Sequence, residues 1–110
     1  MIKKGELWVV EFLAKKGKEQ EGKRPAIIIA DTITSLVLVV PLTSNREALE
    51  KLLFTLFIEK SSINKLFNDS VALVFQLQAV DKKRLVSKIS VLEEDYMGKI
   101  DATLKKLLQL

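Results

Sequence analysis

"EGKRPAIIIA" (21–30) and, after a short polar connection, "SLVLVVPLT" (35–43) decide how the rest of the chain reads. Within them, "PAIIIAD" (25–31) and 35–43 are continuous apolar runs rather than alternating ones. A strand with one wet face alternates; a strand covered on both faces does not. The two runs therefore read as a buried hairpin. Gly22, Lys23 and Arg24 lead into it, so an arginine stands where a charged loop stiffens into a core strand. A charge at such a place is ordinarily a solvated strand edge. Antiparallel pairing changes its company, because the start of the first strand lies beside the end of the second. Arg24 then shares a rim with Thr43, the last residue of "VVPLT". A guanidinium fork matches phosphate oxygens and a hydroxyl adds one more bond, so the rim suits a phosphodiester.

Upstream, "GELWVVEF" (5–12) is a strand with Trp8, Val10 and Phe12 on one face and Leu7 and Val9 on the other. Trp8 heads an apolar face and reads as core. "LAKKGKEQEGK" (13–23) has two glycines, both charge signs and no β-branched residue, which marks a long exposed loop of the functional or mobile kind. Downstream, "SNREALEKL" (44–52) reads as one or two helical turns capped by Ser44 or Asn45. "LFTLFIEK" (53–60) is a further strand. "NDSVALVFQLQAV" (68–80) reads as one strand, with Leu73, Phe75 and Leu77 on one side and Val74, Gln76 and Gln78 on the other. On that second side Gln76 and Gln78 complete a floor of donors and acceptors beneath the rim. Asp81 caps a short turn through Arg84, and "VSKIS" (86–90) pairs last. From about Glu93, apolar residues at Met97, Ile100, Leu104, Leu107 and Leu108 keep helical spacing. The fold class expected is α+β, mostly β: a small barrel of antiparallel strands with a C-terminal helix.

A chain of 110 residues suits one compact domain, 1–110. Its 48% hydrophobic and 29% charged residues are a globular balance, not a disordered one. The longest apolar runs, such as "LVLVVPL" (36–42), are too short to cross a bilayer, and "MIKKGELWVV" does not read as an export signal. Absence of cysteine excludes disulfides and thiolate metal sites and fits a cytoplasmic protein. Absence of histidine removes the usual acid–base and metal ligand. No serine–histidine–aspartate set, phosphate-binding glycine loop or metal-ligand cluster is present, so no metal and no cofactor is expected. Glu93, Glu94 and Asp95 read as carboxylates at a helix N-terminus. The net charge of +4 tolerates nucleic acid or an acidic partner without pointing to either.

The runs "GELWVVEF", "GKEQEGKRPAIII", "VVPLTS" and "QLQAVDKKRL", followed by a terminal helix, together resemble the MazF/PemK family of toxins from bacterial toxin–antitoxin pairs. The resemblance covers nearly the whole chain in order. It implies an SH3-like/plasmid-toxin barrel and a homodimer restrained by a cognate antitoxin with an acidic C-terminal tail. It also implies metal-independent endoribonuclease activity on single-stranded messenger RNA. By the resemblance, Arg24 and Thr43 are the catalytic pair and Gln76 holds RNA. Glu19 and Gln20 fall on the first loop's "E-Q", while Lys18 and Lys23 on the rim hold the phosphate backbone. Lys18 stands where the family often has serine, Gln78 stands where it often has arginine, and the segment between Thr43 and Asn68 matches poorly. Two other functions compete: a gyrase-poisoning toxin of the same fold, and a non-catalytic barrel binding RNA or protein. Neither needs Arg24 paired with Thr43.

Overall fold

The computed structural model describes residues 1–13 and 22–110, and of Glu50 the backbone alone. Seven strands, β1 (Glu6–Phe12), β2 (Gly22–Asp31), β3 (Leu36–Thr43), β4 (Thr55–Ile58), β5 (Ser70–Leu73), β6 (Gln78–Asp81) and β7 (Leu85–Val91), form one antiparallel sheet. A short helix α1 (Glu47–Lys51) follows β3, and a longer one, α2 (Glu94–Leu108), ends the chain. The sheet runs β4-β5-β3-β2-β1-β7, with β6 also paired to β3. Register shifts in the β1–β7 and β2–β3 ladders mark bulges, which sharpen the twist and let so small a sheet curl on itself.

The β2–β3 hairpin is buried on both faces, as its unbroken apolar runs require. Ile27 pairs with Val40, and both join the cluster that includes Leu42, Ile58, Ile100 and Leu104 beneath α2. Ile28 pairs with Val39, and both face the opposite cluster with Val10, Phe12 and Val37. Fully burying an isoleucine contributes about 1.5–3 kcal/mol, so these pairs weight the register heavily. Strand β1 divides as its alternation demands, with Leu7 in the first cluster and Val10, Phe12 and the half-buried Trp8 in the second.

Two expectations need correction. Residues 68–80 are not one strand: β5 ends at Leu73, a 3-10 turn occupies Val74–Gln76, and β6 begins at Gln78. Val74 is therefore buried and Phe75 exposed, the reverse of a continuous alternation. Proline cannot donate to a ladder, and the break falls beside Pro41: β3 pairs with β5 at Leu42 and Thr43 and with β6 from Leu36 to Val39. Second, the cap residue of α1 is Arg46, although the Asn45 side chain still accepts the Glu47 N–H at 3.0 Å. Helix α2 forms where the spacing placed it and buries Ile100 and Leu104, while Leu108 in its last turn is 50% exposed. The turn after Asp81 forms as expected, its carboxylate accepting the Lys83 N–H at 2.8 Å.

Between β4 and β5 the chain is clamped by one buried amide. Asn64, 0% exposed, accepts N–H bonds from Ser61 and Leu66, both at 3.0 Å, and donates to the Glu59 carbonyl and to Glu93 Oε1, also at 3.0 Å. Ser61 adds a 2.6 Å bond to Glu93 Oε2. Burial would raise the Glu93 carboxyl, but the bonds from Ser61 and Asn64 outweigh it and hold the group below its ordinary 4.5. Glu6 is held low in the same way: burial opposes, while Trp8, the Lys3 backbone and Lys88 prevail.

Asn64→Ala should cost about 2–4 kcal/mol in urea unfolding, since it removes several bonds and strands their partners. A depressed carboxyl contributes stability above its unfolded pKa that is lost as pH falls through the folded one. The unaltered protein should therefore lose stability as pH falls below the ordinary 4.5 of Glu6 and Glu93. The acid-side loss should be smaller in Asn64→Ala; an unchanged pH profile in that variant would contradict the coupling to Glu93.

Candidate active site

Strand β2 opens at Gly22, whose φ of +85° is a conformation that disfavours side chains. Lys23, Arg24 and Pro25 follow at once. The β2–β3 ladder ends at Ala26 opposite Pro41, and the same register carried two residues beyond that end brings Arg24 across from Thr43, in keeping with both lining the same clefts. On its other side Arg24 pairs with Val10 of β1, and Thr43 pairs with Val71 of β5. Arg24 is thus held by β1 and Thr43 by β5.

Two clefts meet at this pair. One, of about 320 Å³, is lined by residues that include Lys23, Arg24, Thr43, Ser44, Phe67 and Asn68. The second, also about 320 Å³, is bounded by Arg24, Thr43, Asn45, Leu52, Leu73 and Gln76. Arg24 and Thr43 line both. Among the described residues lining the two clefts there are two cations and no carboxylate, so the local field favours an anion.

Thr43 Oγ1 accepts the Asn45 N–H at 3.1 Å. With its oxygen held by that donor, the hydroxyl keeps its own proton to donate. Gln76 reaches the second cleft because the 3-10 turn swings it out of strand alignment. Its Oε1 is buried and, among the described residues, has no hydrogen-bond partner. A buried amide oxygen of this kind calls for a hydrogen-bond donor. Gln78 lines neither cleft: it lies opposite Val39, and its Nε2 donates to the Gln76 carbonyl at 3.1 Å, bracing the turn. Lys18, Glu19 and Gln20 lie outside the described residues.

Ser44, Asn45, Phe67 and Asn68 line the clefts without having been singled out from the sequence as site residues, Ser44 and Asn45 having been read only as helix caps. Asn45 carried a signal in "TSN", a hydroxyl residue followed by a turn-forming asparagine. Phe67 and Asn68 reach the cleft through tertiary folding of the 59–70 segment, and no local pattern announces that.

With the geometry in place, comparison with known proteins is decisive for kinship. Residues 3–108 match the model of the PemK-like, MazF-like toxins of type II toxin–antitoxin systems. The chain belongs to this family. Its fold is similar to that of MazF from Deinococcus radiodurans, with a TM-score of 0.77 and 22% identity over 97% of this chain and 96% of that one. An endoribonuclease from a mycobacterial species, solved in complex with its cognate antitoxin, has a TM-score of 0.73 at 19% identity, covering 97% and 94% of the two chains. The Deinococcus radiodurans MazE–MazF complex gives 0.72 at 22%, covering 96% and 94%. At these identities the structures establish that this MazF-like toxin shares their fold. No helix among its described residues is long and apolar enough to cross a membrane.

If Thr43 serves the site rather than the fold, Thr43→Val should lower stability by no more than about 1 kcal/mol, the net worth of one exposed hydrogen bond. Urea unfolding checks this, with Thr43→Ser as the variant that keeps the acceptor. A loss of several kcal/mol would make Thr43 a structural residue.

Proposed function

We propose that this toxin is a metal-independent endoribonuclease that cuts single-stranded RNA, its natural substrate being messenger RNA. The observation that carries the reading is the placement of Arg24 and Thr43 on the shared wall of two clefts that lack carboxylates among their described residues. RNA supplies its own nucleophile. The 2′-oxygen attacks the adjacent phosphorus, the bond to the 5′-oxygen breaks, and the products are a 2′,3′-cyclic phosphate and a 5′-hydroxyl. One proton leaves the 2′-hydroxyl and one reaches the departing 5′-oxygen.

In this mechanism Arg24 neutralises the charge that builds on the phosphorane, where an oriented cation is worth most. Thr43 donates to a non-bridging oxygen and holds the phosphate for in-line attack. The Gln76 amide receives a donor from the RNA, and Gln78 positions Gln76 through its carbonyl. Lys23 and Lys18 hold flanking phosphates. Glu19, with Gln20 beside it in the family's loop motif, takes the proton from the nucleophile. Single strands are preferred because their base edges are open to be read.

The working form is a single-domain homodimer in the cytoplasm, restrained by a cognate antitoxin whose acidic C-terminal tail covers the same cationic clefts. Support for the antitoxin comes from the family, and from relatives of this fold solved as antitoxin complexes.

Purified protein incubated with a long single-stranded RNA in EDTA should yield defined fragments. Intact RNA would overturn the reading in favour of a gyrase poison or a non-catalytic barrel. Arg24→Ala and Thr43→Ala should each slow cleavage on the order of a hundredfold or more while the fold survives. A substrate with 2′-deoxyribose at the cut position should not be cut. Lys23→Ala should reduce the slope of log affinity against log salt by about 0.7, the loss of one phosphate contact on a single strand.

A further inference from the structure

Phe67 is the most exposed aromatic among the described residues, at 91%, and it stands on the wall of the cleft that holds Lys23, Arg24 and Thr43. Its neighbour Leu66 is buried at 6%. The preceding Lys65 adopts a left-handed φ of 57°, which costs about 1–2 kcal/mol for a side-chain-bearing residue. The turn is nevertheless held, because Asn64 fixes the Leu66 N–H on one side and Asp69 Oδ1 accepts the Lys60 N–H at 2.9 Å on the other. A large apolar ring is thus displayed to solvent from a braced loop, at the edge of an anion-binding cleft. An idle exposed ring gains nothing from hydrophobic burial.

We infer that Phe67 is a stacking platform for one unpaired RNA base next to the phosphate held by Arg24 and Thr43. The inference rests on the nuclease reading above and adds to it a determinant of substrate positioning. Bases stack on aromatic faces whatever their hydrogen-bonding edges, so the platform holds the strand without choosing its sequence. Charge complementarity selects the occupant: the cleft that presents the ring also presents two cations, matching a base attached to its phosphodiester. Rigidity from Asn64 reduces the ordering cost on binding.

The test uses the full-length chain and its Phe67→Ala, Phe67→Leu and Phe67→Trp variants. The RNA is one whose cut site has been mapped with the unaltered chain, carrying 2-aminopurine beside that site. One version has ribose throughout, for cleavage; the other has 2′-deoxyribose at the attacking position, for binding alone. Phe67→Ala should bind about tenfold or more weakly and lose the 2-aminopurine quenching seen with the unaltered chain. Its KM should rise with kcat nearly unchanged, the signature of lost uniform binding. Phe67→Trp should keep affinity and quenching, and Phe67→Leu, apolar but without a π face, should lose both.

Equal binding and quenching by Phe67→Ala would overturn the platform while leaving the nuclease reading intact. A drop in self-association on sedimentation, with RNA binding unchanged, would overturn it in favour of a contact between copies of the chain. An unaltered chain that neither cuts RNA nor quenches 2-aminopurine would remove both readings together.

Discussion

The register of β2 against β3 is the constraint on which everything else rests. Ile27 opposite Val40 and Ile28 opposite Val39 fill two separate apolar clusters, one on each face of the hairpin. A slip by one residue would exchange the faces of every side chain. Because both faces are close-packed, the two sets of side chains would arrive at cavities of the wrong shape. That apolar lock lies several residues from the site, yet it is what sets Arg24 across from Thr43. The polar chemistry is positioned by hydrocarbon.

How much of this was legible in the sequence depends on the range of the interactions involved. The hairpin, the β1 faces, the Asp81 turn and the body of α2 follow from periodicity and local capping, which a sequence displays directly. Arg24 and Thr43 were legible as neighbours because antiparallel pairing is a simple rule. Gln76 was placed on the right side for the wrong reason. It was read as one face of a long strand, whereas a 3-10 turn beside Pro41 delivers it to the cleft and leaves Gln78 outside. The place of Phe67 beside the cleft was not legible at all: its loop is braced by the Asn64–Glu93 clamp, formed between residues 29 apart in sequence.

The same division separates stability from chemistry. The buried amide and the depressed carboxyls of Glu6 and Glu93 lie outside the residues lining the two clefts, where they brace the fold. Within the clefts the described polar side chains are two cations, the hydroxyls of Thr43, Ser44 and Ser70 and the amides of Asn45, Asn68 and Gln76, which suits a reaction whose nucleophile belongs to the substrate.

The most direct measurement is a double-mutant cycle on RNA cleavage, with Arg24→Ala, Thr43→Ala and the two combined. Residues acting as a unit on one phosphate are strongly non-additive. The account predicts that the combined variant is little slower than the more damaged single one. Losses that multiply in full would mean that the two side chains act at separate places, and would contradict it.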